Sequence, residues 1–346
     1  MPSNSFDTFF ACTIIVAAAL IATAFLGSTL QARITSTQDV NKDSYLKAIA
    51  DHLVTNPGTP VDWGIGTSFP QDFGLAQSQF SVPYELDMDK VSRLNSQNLA
   101  TFNYTTLLNA TKLNNIALGI EVEQILSISV DQIENHTVGS DNWFTFQVTT
   151  SINSKQTDTS LHLYVAANNY LSNSTTVASN GYAEITFQVP SASIDHALMV
   201  LFARDSLDER ITAYIIYNFA TGTQQLTPNN TSVTLSVNDY VLTCSLKSAG
   251  VTVQNGYVLS YAFKSDLTSL SETQFTVPEI IEKSPLVIVA YGDDDGAYFQ
   301  KWTAYPQIPL TTGSTFEWSE QNIFSYLVTV NGVLYRLNIS LGDVIH

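Results

Sequence analysis

Basic residues are scarce in this chain: 14 Lys and Arg stand against 31 Asp and Glu, for a formal net charge of −17 over 346 residues. Nucleic-acid binding draws on clustered cations that displace counterions, so DNA and RNA are excluded as expected partners. Charge of either sign is thin, at 13% of residues, about half the usual share. Ser, Thr, Asn, Gln and Tyr must therefore cover the polar faces. The two cysteines are Cys12, in an apolar N-terminal run, and Cys244, in an expected strand, so no intrachain disulfide framework is expected.

Catalytic spacing is missing as well. The chain has no Gly-x-Ser-x-Gly elbow, no phosphate-binding loop, no GxGxxG and no His-Glu-x-x-His. His52, His136, His162 and His196 are scattered singly. No cofactor is expected, and the chain reads as non-enzymatic. The nearest approach to a metal motif is Gly292-Asp293-Asp294-Asp295-Gly296, three acids between glycines just after a strand. Asp293, Asp294 and Asp295 are weak calcium candidates, because adjacent side chains rarely converge on one ion and EF-hand spacing is absent. Glu85, Asp87 and Asp89 suit helix capping better than metal binding.

What is present begins with an uncharged run from Phe9 to Leu30. At ~1.5 Å per helical residue it reaches about 33 Å, enough to cross a bilayer core. A transmembrane helix is expected over 9–32, after an N-terminal tail over 1–8. A cleaved signal peptide is the alternative, with Ala22-Thr23-Ala24 offering a small-x-small site, but Met1 to Asp7 lacks the basic n-region. Tyr45, Leu46, Ile49 and Leu53 fall at helical spacing, so a stalk helix is expected over 33–56, stopped by Asn56-Pro57-Gly58-Thr59-Pro60. Residues 57–115 read as a loop packed by Trp63 and Phe73, then short helices over 87–98 and 99–113.

From Ile116 the period changes to two, and short strands separated by turn clusters predict an antiparallel β-sandwich over 116–220, with an Ig-like topology. Thr221 to Asn230 is the expected junction. A second β-rich domain follows over 221–346 and ends in a hairpin about Asn331-Gly332, a type I′ signal. No fixed-period repeat is visible. The fold class is thus mainly β, with an N-terminal transmembrane helix, a stalk and a two-part head.

Asn-x-Ser/Thr sequons occur at Asn103, Asn109, Asn135, Asn173, Asn229, Asn230 and Asn338. All lie after the apolar run, compatible with a cytoplasmic N-terminus and an extracellular C-terminal domain, glycosylated if these sites are used.

One resemblance rests on three blocks. Phe6-Asp7-Thr8-Phe9-Phe10-Ala11 opens onto the apolar run. Tyr45-Leu46-Lys47-Ala48-Ile49-Ala50-Asp51-His52-Leu53-Val54 leads into Asn56-Pro57-Gly58-Thr59-Pro60-Val61-Asp62-Trp63-Gly64. Tyr84-Glu85-Leu86-Asp87-Met88-Asp89-Lys90-Val91 follows. Together, over residues 6 to 125, they resemble archaeal type IV pilin-like membrane proteins. The resemblance implies a membrane-held N-terminal helix carrying a β-rich head outside the cell, with the bilayer and pilus-like or surface-layer proteins as partners. Pro2 to Asp7 has no Lys or Arg for a prepilin peptidase, and no Glu enters the run. A permanently anchored surface protein therefore fits better than a major pilin. Its expected role is structural or adhesive; the alternatives are a carbohydrate-binding sandwich and a membrane-tethered hydrolase.

Overall fold

The computed structural model describes residues 20, 23, 42–78, 82–113, 116–139, 141–167, 170–190, 196–220, 233–247, 250–294, 297–314 and 321–343. Apart from residues 20 and 23, the expected transmembrane segment lies outside them, as does the Thr221–Asn230 junction. Among the described residues no helix is long and apolar enough to cross a membrane. The chain divides into two compact units, Met1–Asp51 and His52–His346. In the first, 42–51 is helical and carries an exposed i,i+4 ion pair, Lys47 Nζ to Asp51 Oδ1 at 3.1 Å. Helix α1 runs over 42–55, in line with the apolar spacing read across the stalk.

The second unit is mainly β. Helix α2 (Met88–Leu94) and helix α3 (Tyr104–Thr111) are shorter than the sequence suggested. Asp87 caps α2 by accepting from the backbone N–H of Asp89 and Lys90, and Asn103 caps α3 by accepting from Thr106. Trp63 and Phe73 are fully buried, with ring centroids 5.4 Å apart, and the Trp63 indole donates to Gly74 O at 3.0 Å.

In chain order the strands are β1 (Glu85–Leu86) and β2 (Ile116–Gln124), followed by a first set: β3 (Leu126–Val138), β4 (Asp141–Ile152), β5 (Lys155–Gln156), β6 (Thr159–Ala167), β7 (Tyr170–Ala178), β8 (Tyr182–Pro190), β9 (His196–Asp205) and β10 (Thr212–Ala220). A second set is β11 (Val233–Asn238), β12 (Val241–Leu246), β13 (Val251–Leu259), β14 (Lys264–Asp266), β15 (Thr268–Ser269), β16 (Gln274–Thr276), β17 (Leu286–Asp294) and β18 (Ala297–Tyr305). The chain closes with β19 (Leu310–Gly313), β20 (Gln321–Val330) and β21 (Val333–Asp343).

Each set makes a two-sheet sandwich. In the first, β4 pairs with β3 on one side and with β8 and β5 on the other, opposite a sheet ordered β10-β9-β6-β7. Leu126, Phe144, Phe146, Leu163, Ile185, Met199 and Leu201 fill the space between. In the second, β11-β12-β16-β15 faces β14-β13-β17-β18 over Leu235, Leu242, Cys244, Val258, Phe275 and Ile288. Apart from the short strands β5, on β4, and β15, on β16, the two sandwiches therefore repeat one pairing scheme. No period marks it in the sequence because their loops differ in length.

A fifth sheet, ordered β1-β20-β21-β2-β19, joins the two ends of the β region. Strand β2, which the sequence reading grouped with the first sandwich, pairs instead with β21 from Ile116↔Asp343 to Gln124↔Tyr335. Both sandwiches are thus inserted between β2 and β19. The Asn331-Gly332 turn forms where its composition placed it, with φ of +49° and +74°.

Candidate functional site: the joint between the sandwiches

The strongest feature of the unit is a joint between the two four-stranded sheets that contain β9 and β17. Strand alternation builds it. On β9, Met199 and Leu201 point into the first core, while Leu198, Val200 and Phe202 point the other way. On β17, Ile288 and Ala290 serve the second core, while Val287, Val289 and Tyr291 turn outward. These outward sets meet, joined by Tyr164, Ala166 and Tyr214 from one sheet and Tyr257, Leu259 and Ala304 from the other. Both strands are buried on both faces, which explains why Ala197–Ala203 and Leu286–Tyr291 are unbroken apolar runs.

A polar seam closes one rim of this joint. Arg204 on β9 donates to Glu282 Oε1 at 2.8 Å, and its guanidinium carbon lies 3.8 Å from the Tyr261 ring centroid. The other Glu282 oxygen accepts from the Ala262 N–H at 3.1 Å. The two charged side chains are 16% and 23% exposed, so they are screened less than a surface pair. Beside them His162 stacks on Tyr164 with ring centroids 4.6 Å apart, and Tyr164 donates to Phe263 O at 3.3 Å. Lys264 Nζ donates to Asn173 Oδ1 at 2.9 Å, and Asn173 Nδ2 lies 3.5 Å from His162 Nε2. Burial holds the His162 pKa below its usual value; Glu282 pulls it up and Lys264 pushes it further down.

A second polar cluster fastens α2 to the second sandwich. Lys90 and Arg93 are fully buried, and both serve carbonyls of the irregular segments around the helix. Lys90 Nζ donates to Pro57 O at 2.9 Å and to Ala76 O at 2.8 Å. Arg93 donates to Ala100 O at 3.0 Å, to Ser68 O at 2.9 Å and to Trp63 O. Irregular backbone leaves these carbonyls without a ladder partner, and the two buried cations supply the donors. Asp89 Oδ1 accepts from the Tyr305 hydroxyl at 2.7 Å and from the Asp239 N–H at 3.0 Å. Burial raises the Asp89 pKa from 3.8 to about 6, against the lowering effect of those two hydrogen bonds.

The residues singled out from sequence do not converge. Asp293 and Asp294 are consecutive on β17, opposite Tyr298 and Ala297, so their side chains leave on opposite faces. Asp295 lies outside the described residues. Among the described residues no group of three or more His, Cys, Asp or Glu is placed to hold a metal. Asn103, Asn109, Asn135 and Asn173 are exposed. The Asn173 amide is held in the seam; that of Asn338 donates to Glu121 at 3.2 Å and accepts from Ser325 at 2.7 Å. Asn229 and Asn230 lie outside the described residues. Sequence reasoning missed Arg204 and Glu282, which are far apart in the chain. Lys90 and Arg93 left a faint signal, cations interleaved with the inward-facing Val91 and Leu94.

No family model matches the chain, and no curated protein matches it. Among solved structures it is similar to HBP35 of Porphyromonas gingivalis, with 12% identity over 52% of this chain and 63% of that chain, at a TM-score of 0.18. The chain thus spans less than two thirds of that protein's matched chain, and similarity at this score does not define a common fold.

Proposed function

We propose that the chain is a non-enzymatic surface protein, pilin-like in plan, whose N-terminal apolar run anchors a rigid β head outside the cell for a structural or adhesive role. The observation that carries the reading is the joint: the two sandwiches pack through sheets whose central strands are buried on both faces. In immunoglobulin-like terms β3, β4 and β8 are strands A, B and E, and β10, β9, β6 and β7 are G, F, C and C′; β11 to β18 repeat the scheme. The G-F-C-C′ sheets pack back to back. Such a block suits a spacer or a presented surface. Intact mass and N-terminal sequencing of protein from native membranes test it. Retention of residues 1 to 30 with resistance to carbonate extraction is expected. Loss of the whole run, or protein found only in the cytosol, would overturn the anchor.

A second reading is carbohydrate recognition, favoured by one outer face. The alternation of β4 and β8 turns Trp143, Gln147, Tyr182, Glu184 and Gln188 away from the first core. The equivalent face of the second sandwich carries Thr234, Ser236, Thr243, Ser245, Gln274 and Thr276, with neither aromatic nor charged residue among them. Rings beside amides and carboxylates suit a neutral glycan. A glycan array with no hits, or hits unchanged by Trp143→Ala, would remove this reading.

A further inference from the structure

Strand β20 has one edge almost wholly open. Its inner side pairs with β21 along its full length, from Gln321↔Gly342 to Val330↔Val333. On the outer side β1 covers only the end of the strand, through Glu85↔Thr329 and Leu86↔Val330. The Thr329 N–H donates outward to Tyr84 O at 3.0 Å. Alternate residues of a strand direct their backbone groups to the same side. The N–H and C=O of Ile323, Ser325 and Leu327 therefore face that open edge, and among the described residues no strand pairs there.

The strand itself reads Gln-Asn-Ile-Phe-Ser-Tyr-Leu-Val-Thr-Val, without charge, Pro or Gly. Ile323 is 50% and Leu327 60% exposed. Long uncharged edges of this kind invite pairing, and proteins usually block them. This chain does so at two other edges, although β7, β10 and β11 are edge strands without charge or Pro. Edge strand β3 carries Asp131 and Glu134 around a bulge between Gln132 and Glu134, and β8 carries Glu184 and ends at Pro190.

Charge and symmetry select the occupant. At a net charge of −17, two copies repel over most approaches, and repulsion is weakest where a strand has no charge. On the same face Arg336 and Glu123 pair at 2.9 Å, beside Glu121, which accepts from Asn338, and Glu85, which lies opposite Thr329. An antiparallel edge is also self-complementary, because each copy offers the same donors and acceptors to the other. Centring the two-fold axis on Ser325 sets Ile323 of one copy against Leu327 of its partner, and the reverse. Each exposed apolar side chain then gains a cross-strand partner.

We propose that β20 joins two copies of this chain, antiparallel and centred on Ser325, into one sheet continuous across both. The proposal does not depend on where the chain resides in the cell. Its test is analytical ultracentrifugation of the full chain in mild detergent, beside Ser325→Lys, which sets two like charges opposite each other at the axis. Ser325→Cys in a Cys12→Ser background is oxidised in parallel. The expected result is a wild-type dimer, a monomeric Ser325→Lys variant with unchanged circular dichroism, and a Ser325→Cys dimer linked by a disulfide. A monomeric wild type overturns the proposal, as does a dimer that survives Ser325→Lys. Should the lysine variant fail to fold, the cysteine variant decides: a dimer that does not cross-link overturns the register and the interface together.

Discussion

Replacing Asp89 with asparagine isolates the effect of burying a charge in the first turn of α2. Both hydrogen bonds to this side chain, from Tyr305 and from the Asp239 N–H, end on Oδ1, and an asparagine oxygen can accept both. The substitution therefore removes the charge and keeps the acceptor. The Asp89 pKa rises from 3.8 to about 6 on folding, which at ~1.4 kcal/mol per unit corresponds to ~3 kcal/mol. The folded state holds this proton more tightly than the unfolded state, so protonation favours folding. That stabilisation is full below the unfolded pKa of 3.8 and is lost as pH rises through about 6. At pH 7 the ionised carboxylate thus destabilises the fold, by at most about 3 kcal/mol, because the nearby Arg93 guanidinium loses a favourable charge when Asp89 is neutralised. Urea unfolding of wild type and Asp89→Asn across this pH range is the assay. The variant should gain stability relative to wild type as pH rises, by on the order of 2 kcal/mol at neutrality, with the two converging in acid. A difference that stays constant with pH, or a variant weaker only at neutral pH, would refute the reasoning.

Three further outcomes follow from the same geometry. Leu198→Ala, in the joint, should cost ~2–5 kcal/mol as a buried large-to-small change, read as a lower urea midpoint; a loss below ~1 kcal/mol would mean the two sheets do not support each other. Glu282→Ala should cost on the order of 2 kcal/mol, between exposed and fully buried ion pairs, by stranding Arg204; Arg204→Ala alone and the double variant complete the cycle, and additive losses would show that the pair is not coupled. Cys244 is buried, its thiol pKa pushed up to about 12, so in a Cys12→Ser background a thiol reagent should label it only under denaturing conditions; fast labelling of native protein would place it at an accessible surface.

Local chemistry made much of the fold readable. Asp87 before Met88 and Asn331 before Gly332 announce a helix start and a hairpin because the capping oxygen and the positive φ are properties of two or three neighbouring residues. The run Ala197–Ala203 was readable as a strand, and its lack of alternation signals burial on both faces, but nothing in it says which second sheet lies opposite. The pairing of β2 with β21 is hidden for a related reason: it joins residues more than two hundred positions apart, and neither strand differs in pattern from its neighbours. β7 is hard to read from sequence because Ser172, Asn173, Ser174 and Thr175 have a turn-like composition, which an edge strand facing solvent tolerates. The seam was least legible of all, since Arg204, Glu282, Asn173 and Lys264 acquire their roles only when two sandwiches meet.

Topology gives the surface-protein reading a mechanical consequence. The sandwiches occupy the chain between β2 and β19, while β1 and β2 share a sheet with the C-terminal hairpin. Force entering from the N-terminal side reaches α2 before β2: Asp89 ties α2 to Tyr305 and Asp239 of the second sandwich, and β2 is paired along its length with β21. The load on β2 is divided between its hydrogen bonds to β21 and the single residue, Ile125, that links it to β3 of the first sandwich. The sandwiches are joined to each other through β9 and β17, so load on either is passed to the other. On the surface-protein reading, a pull on the base is therefore spread over both sandwiches and the fifth sheet rather than reaching one sandwich alone.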